Sequence, residues 1–333
     1  MNPRGEFPVL EVRNLQTYFY TTRGIVKAVD DVSFAVQKGK TLGIVGESGC
    51  GKSITSLSIM RLLPALTGKV VGGEILFKDR NLLELSDKEM RSIRGNDIAM
   101  IFQEPMTSLN PAHTIGKQIS EAIKLHKKTS EAEAKNLTLE LLSVVKIPNP
   151  EKRYDQYPHQ LSGGMRQRVM IAMALSCEPE VLICDEPTTA LDVTIQAQIL
   201  DLIVEMKNKF GTGVMMITHD LGVIAEVADD VIVMYAGKVA ERASVDDLFE
   251  NPLHPYTEGL LNSIPKLHRT HERLKSIKGM MPKPTDLPDG CLFHTRCDYV
   301  KDICKKELPE EIYMGGRTVA CWKYHDKWKE QKT

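Results

Sequence analysis

Eight residues constrain this chain more than any others. Gly46-Glu47-Ser48-Gly49-Cys50-Gly51-Lys52-Ser53 matches G-x-x-x-x-G-K-S. The segment follows an apolar run, Thr41–Val45, and opens a helical stretch, Ser53–Leu63. Strand, glycine-rich turn and helix in that order is the context the motif requires. The glycines let backbone N–H groups curl around a phosphate, and the helix N-terminus adds its positive end. Lys52 is then placed to reach β- and γ-phosphates, and Ser53 to ligate Mg²⁺.

A second element completes the chemistry. Val181-Leu182-Ile183-Cys184 runs into Asp185-Glu186, which puts two carboxylates at the mouth of a buried strand. Asp185 suits Mg²⁺, directly or through water, and Glu186 suits polarising an attacking water. Alone, such a pair reads as a solvated loop. Downstream of a phosphate loop it reads as the other half of a P-loop NTPase.

Three further short apolar runs, Ile98–Phe102, Val214–Thr218 and Val231–Tyr235, read as buried strands, with helical patterns between them. An α/β sheet with crossover helices follows. Leu10–Leu15, Ala28–Val36 and Gly73–Phe77 read as strands of a separate antiparallel piece, and Ala236-Gly237-Lys238 as a tight turn. Residues 115–147 look all-helical, with capping boxes at Ser86/Glu89 and Ser130/Glu133. After about residue 250 prolines accumulate and periodicity fades, so the remainder reads as an appendage without an evident apolar core. With 333 residues, 42% apolar and 26% charged, the chain has room for one large domain plus that appendage. A net charge of −1 shows no basic excess for nucleic acid. No apolar run approaches the roughly 18 residues of a membrane span, and the first residues resemble no signal peptide. A cytosolic protein, linked to any membrane only through partners, is expected.

Seven cysteines are present. Cys50, Cys177 and Cys184 read as small packing residues. Cys291, Cys297, Cys304 and Cys321 are spaced C-x5-C-x6-C-x16-C. Zinc usually takes a tighter knuckle, and four thiolates at wider spacing can hold an iron–sulfur cluster. Cluster, zinc and free thiols all remain open on spacing.

Leu161-Ser162-Gly163-Gly164-Met165-Arg166-Gln167-Arg168 resembles the ABC signature L-S-G-G-Q, with Met165 in place of Gln. A Ser at a helix start beside two glycines forms an anion-binding surface. Gln103 matches the Q-loop, Ala190-Leu191-Asp192 the D-loop, and His219 the switch histidine; Phe19, or its neighbour Tyr18, sits where the family stacks an aromatic on adenine. The resemblance implies an ABC ATPase fold: a mixed central sheet, an antiparallel β subdomain, a helical subdomain at about 104–165, and a cysteine-rich C-terminal appendage. Its ATPase domain spans residues 1–255 and the appendage residues 256–333. It implies ATP held by Phe19, Gly46, Glu47, Ser48, Gly49, Cys50, Gly51, Lys52, Ser53 and Thr55. Mg²⁺ falls to Ser53, Gln103 and Asp185, and catalysis to Glu186, His219 and Gln103. Ser162, Gly163 and Gly164 cap the γ-phosphate held by an opposite subunit, so two incomplete sites become complete on dimerisation.

Gln103-Glu104-Pro105-Met106-Thr107-Ser108-Leu109-Asn110-Pro111 is similar to a segment of peptide and nickel importer ATPases. So is Asn251-Pro252-Leu253-His254-Pro255-Tyr256-Thr257, continuing to Pro265. This narrower resemblance implies import of dipeptides or oligopeptides, with nickel as the alternative. It implies two transmembrane permeases, a second similar ATPase subunit (or a homodimer in isolation), an external solute-binding protein, and a place on the cytoplasmic face of the membrane. It also implies a [4Fe–4S] cluster on Cys291, Cys297, Cys304 and Cys321. A soluble ABC ATPase acting on DNA or ribosomes would carry coiled-coil arms or two cassettes, and a P-loop kinase would lack the helix opening at Ser162.

Overall fold

The computed structural model describes residues 7–103, 108–189, 191–264 and 277–330. Calls on Glu104–Thr107, Ala190 and Pro265 lie outside the described residues. Two compact units are present. One comprises Met1–Leu10, Val36–Thr41 and Phe77–Ile217; the other comprises Glu11–Ala35, Leu42–Leu76 and Thr218–Thr333.

The unit carrying the phosphate loop has a mixed sheet. Thr41–Val45 is buried at every position and runs parallel to Asp230–Tyr235, from Leu42 opposite Asp230 to Val45 opposite Val233. Asp230–Tyr235 turns back antiparallel into Lys238–Ser244. Ala236 at φ 46° and Gly237 at φ 84° make the turn, the two left-handed residues of a type I′ hairpin. A bulge between Val239 and Glu241 interrupts the pairing. The far edge of Lys238–Ser244 is then covered by Arg317–Val319, which pairs with Ile312–Met314.

These last two strands are regular structure inside the appendage, where periodicity fades in the sequence. Ile312-Tyr313-Met314 and Arg317-Thr318-Val319 flank Gly315-Gly316, both at positive φ, which is a hairpin signature. Nor does the tail lack a core. Ile303, Cys304 and Trp322 are buried together, with Cys291 and Trp328 packed against them. Phe293 is buried edge-on to Tyr235. These residues come from short turns, so no periodicity announces them.

The same unit holds Gly24–Val36, Leu10–Thr21 and Gly68–Phe77 as neighbouring strands in that order. All three are longer than their apolar runs suggest, because inward positions include polar residues. Thr17, fully buried, hydrogen-bonds Ser58 at 2.8 Å. The helix after the phosphate loop is shorter than expected, Lys52–Ile59. Arg61 is left-handed at φ 50°, and Pro64 follows closely.

In the other unit Gly213–Thr218, Val181–Asp185 and Ile98–Ile101 form a parallel sheet, apolar almost throughout, as strands buried on both faces require. Asp87–Ile93 and Glu131–Val144 both start with complete capping boxes, at Ser86/Glu89 and Ser130/Glu133. Ile115–Lys127 and Glu131–Val144 pack through a buried hydroxyl pair, Ser120 and Thr138, 3.0 Å apart. No helix among the described residues is long and apolar enough to cross a membrane.

The tail hairpin is locked by a buried ion pair. Glu241, its side chain fully covered, accepts from Arg317 Nη2 at 2.9 Å and from the backbone N–H groups of Leu253 and His254 at 2.8 Å each. Removing the carboxylate leaves a buried guanidinium and two buried amides without it. Glu241→Ala is expected to cost about 3–5 kcal/mol, measured by denaturant unfolding; a loss under about 1 kcal/mol would show that water replaces the carboxylate.

Candidate nucleotide site

The chain leaves Val45 through Gly46 at φ 153° and reaches the helix through Gly51 at φ 110°. A Cβ on Gly46 would run into the Met234 carbonyl, and one on Gly51 into the Ala28 carbonyl. Only glycine fits either place. Cys50 N–H donates to the Glu47 carbonyl at 3.2 Å and closes the turn. Ser48 and Gly49 form its exposed crest. The helix starts without a side-chain cap, so its positive end is directed at the loop. Lys52 is only 5% exposed and lies along the loop, donating to the carbonyls of Gly46 at 2.7 Å and Glu47 at 3.2 Å. Cys50 is fully buried, and burial pushes its thiol up while Lys52 pulls the other way. Thr55 is also fully buried, its hydroxyl donating to the Gly51 carbonyl at 3.0 Å.

Phe19 and Tyr18 fall on opposite faces of their strand, as the two-residue period requires. Tyr18 donates to Asp30 at 2.7 Å, and burial followed by that bond pushes its phenol up to about 12. Phe19 is half-buried, with its ring against Gly68. His219 follows Thr218 and is exposed, ahead of the helix Leu221–Val227, which Asp220 caps.

Three contacts to the loop were not foreseen. Tyr256 accepts the Glu47 N–H at 2.8 Å, Arg296 pairs with the Glu47 carboxylate, and the Met281 methyl stands 3.2 Å from where a Cβ on Gly49 would be. The nearest sequence signal was the segment around Tyr256, and it pointed to kinship rather than to a contact.

In the other unit Asp185 closes its strand, 5% exposed. Glu186 is left-handed, φ 49°, with its N–H bonded to the Ile217 carbonyl at 2.9 Å. That conformation costs about 1 kcal/mol. One oxygen of its carboxylate accepts from Gln103 Nε2 at 2.9 Å and from the Thr189 hydroxyl at 3.0 Å. Gln103 and Glu186, far apart in sequence, are therefore in direct contact, an arrangement that aims one carboxylate at a fixed point.

Ser162 caps the helix Gly163–Leu175 by accepting from Met165 N–H at 3.4 Å. The helix is held from below. Gln167 donates to the Pro187 carbonyl at 2.6 Å, and Arg168 to the Val145 carbonyl and to Gln198, each at 2.8 Å. Gly164 lies against Ile195, where a Cβ would come within 2.9 Å, whereas a Cβ on Gly163 would meet nothing within 4 Å. Asp192 caps Val193–Phe210, accepting from Ile195 N–H at 3.0 Å.

Cys291, Cys297, Cys304 and Cys321 line one pocket together with Phe293 and Trp322. Burial, then the neighbouring thiols, pushes Cys291 up to about 12 and Cys321 up to about 11. Such thiols ionise only beside positive charge. No group of three or more His, Cys, Asp or Glu among the described residues stands as a metal ion requires. The four thiols expected to hold a cluster, or zinc as the alternative, share a pocket but form no closed metal centre among the described residues. Cys50, Cys177 and Cys184 are buried packing residues, as expected.

The ABC transporter family model matches residues 29–189, and that of the oligopeptide/dipeptide transporter C-terminal region matches residues 240–304. The chain is 56% identical over 328 residues to the probable peptide ABC transporter ATP-binding protein y4tR of Sinorhizobium fredii, covering 98% of this chain and 97% of that one. It is 53% identical to the oligopeptide transport ATP-binding protein AppD of Bacillus subtilis, over 97% and 99% of the two chains. The chain belongs to the ATP-binding proteins of ABC transporters, of the oligopeptide/dipeptide kind. As an ABC ATPase it is similar in structure to the ATP-binding cassette MJ0796, solved as a dimer bound to ADP and Pi. The TM-score is 0.64 at 27% identity, over 71% of this chain and 98% of that one.

The Glu186 contacts make a direct prediction. A glutamine there keeps an oxygen to accept from Gln103 and Thr189 but loses the negative charge and the capacity to take a proton. Glu186→Gln should bind ATP normally and lose hydrolysis by about 10²-fold or more, read by phosphate release beside nucleotide titration. Near-normal turnover would show that another group positions the water.

Proposed function

We propose that this ABC ATPase binds MgATP, hydrolyses it as one of a pair of such subunits, and so powers import of dipeptides or oligopeptides through a membrane transporter. The observation that carries this reading is the phosphate loop itself: two obligate glycines, an uncapped helix start and Lys52 lying along the turn. The relatives' names supply the solute, and those cited speak of peptides rather than nickel. The match to the transporter C-terminal region speaks against a soluble ABC ATPase.

Lys52 and the amides of Gly46 to Ser53 bind the phosphates, and Phe19 stacks on adenine. Ser53, Gln103 and Asp185 are the residues that hold Mg²⁺, which offsets phosphate charge when bound. Glu186 takes the proton of the attacking water, and His219 contacts the γ-phosphate. Ser162, Gly163 and Gly164 serve the partner subunit's ATP. The partners are two permeases, a second ATPase subunit and an external solute-binding protein, with this subunit peripheral on the cytoplasmic face. Residues 1–255 act as the ATPase domain, with its helical part at about 104–165, and residues 256–333 as the importer-type appendage. Lys52→Ala should abolish tight ATP binding in a fluorescent-nucleotide titration, since no neighbour replaces an ammonium at the phosphates. Unchanged affinity would remove the assignment.

A second reading concerns the tail. The pocket shared by Cys291, Cys297, Cys304 and Cys321 supports a [4Fe–4S] cluster held by four thiolates, with zinc as the alternative. Its role is structural, since ATP hydrolysis needs no electron. Anaerobically purified protein should be brown and hold about four irons and four sulfides per chain, and Cys297→Ser should bleach it. Colourless, iron-free anaerobic protein with an ordered tail would end this reading.

A further inference from the structure

The phosphate loop carries an acid. Glu47 is the second residue of the turn that is to receive a triphosphate, and its side chain is only about a third exposed. A free carboxylate there would oppose the anion that the loop gathers.

The tail supplies the counter-charge. Arg296, its side chain 3% exposed, grips Glu47 through two parallel bonds, Nη1 to Oε2 at 2.6 Å and Nη2 to Oε1 at 3.0 Å. This is the fork geometry by which guanidinium matches carboxylate, stronger and more directional than a lysine pair. The guanidinium is itself fixed. Its Nε donates to the Lys278 carbonyl at 3.0 Å, its Nη2 to the Gly279 carbonyl at 3.4 Å, and its Nη1 to the Tyr235 hydroxyl at 3.4 Å. The rings of Tyr235 and Phe293 flank it at 5.8 and 5.9 Å. The backbone of Glu47 is held too, through its N–H to Tyr256. Nothing in this arrangement is a flexible surface pair: each partner of Arg296 is a backbone carbonyl or a side chain seated in the unit.

We infer that Arg296 is a positioning residue for nucleotide binding: it neutralises the Glu47 carboxylate and fixes the loop so that the remaining positive field is free for the phosphates. This rests on the ATPase reading above and deepens it by making the C-terminal tail a working part of the nucleotide site. Arg296 does not touch the nucleotide. It acts through Glu47, so its effect must vanish when the carboxylate does.

That dependence separates an electrostatic role from a structural one. Arg296→Met keeps the apolar stem and removes the charge. In the full-length protein its MgATP dissociation constant should rise about tenfold or more, equivalent to about 1.4 kcal/mol, and the deficit should shrink as salt is raised. Adding Glu47→Gln in the same chain should return the dissociation constant to within about threefold of the parent. Arg296→Lys, which keeps the charge and loses the fork, should fall between. Thermal unfolding of each variant is followed alongside. An Arg296→Met protein that binds MgATP as the parent does would overturn the inference. So would a loss of affinity that Glu47→Gln leaves uncorrected, because the arginine would then be serving the fold alone. A parent protein without measurable MgATP affinity would sink the ATPase reading and this inference with it.

Discussion

The shape of the phosphate loop is set by crowding. Gly46 passes beneath the Met234 carbonyl and Gly51 beneath that of Ala28, so the path between them has almost no freedom. Met234 is there because Thr41–Val45 pairs in parallel with Asp230–Tyr235, and the hairpin that follows adds its own hold. Gly237 N–H donates to the Cys50 carbonyl at 2.9 Å, and Asp30 N–H to the Gly237 carbonyl at 2.8 Å. The loop is thus a mould made by segments nearly two hundred residues apart. A mould this rigid cannot move a misplaced charge aside, which is why the carboxylate on Glu47 needs a partner brought from elsewhere.

Rigidity recurs around Glu186 by different means. There a left-handed backbone is imposed on a residue with a side chain, and Gln103 and Thr189 fix the carboxylate. Strain of this kind persists only where the surroundings over-determine it. Gln167, bonded to the carbonyl of Pro187, ties the signature helix to the same turn. Any shift of that helix is therefore felt one residue from the carboxylate.

Much of this was legible in sequence, for a physical reason. The phosphate loop, the acidic strand end and the capping boxes are local: the residues that make each feature lie within a few positions of one another. The parallel strands declared themselves as unbroken apolar runs because both faces are buried. The tail was not legible, because its order comes from pairings across long separations. Glu241 is joined to Arg317, Glu47 to Arg296, and the Tyr324 hydroxyl to the Leu253 carbonyl. No period marks such contacts. One signal was available and passed over, the Gly315-Gly316 pair between two short runs containing β-branched and aromatic residues. Arg296 had none, and only the fold turns it towards the loop.

The two signature glycines show how far a single chain explains itself. Gly164 is needed internally, since any side chain would strike Ile195. Gly163 has open space around it, and Ser162 beside it is exposed. The anchoring through Gln167 and Arg168 holds the far side of the helix still while this end stays bare. Among the described residues nothing requires Gly163 to lack a side chain. A demand for bare backbone at a helix start, with the helix itself immobilised, is met by an anion approaching from outside the chain. That is the physical content of the dimer reading, and it fits a signature helix braced from below while Ser162 and Gly163 stay exposed.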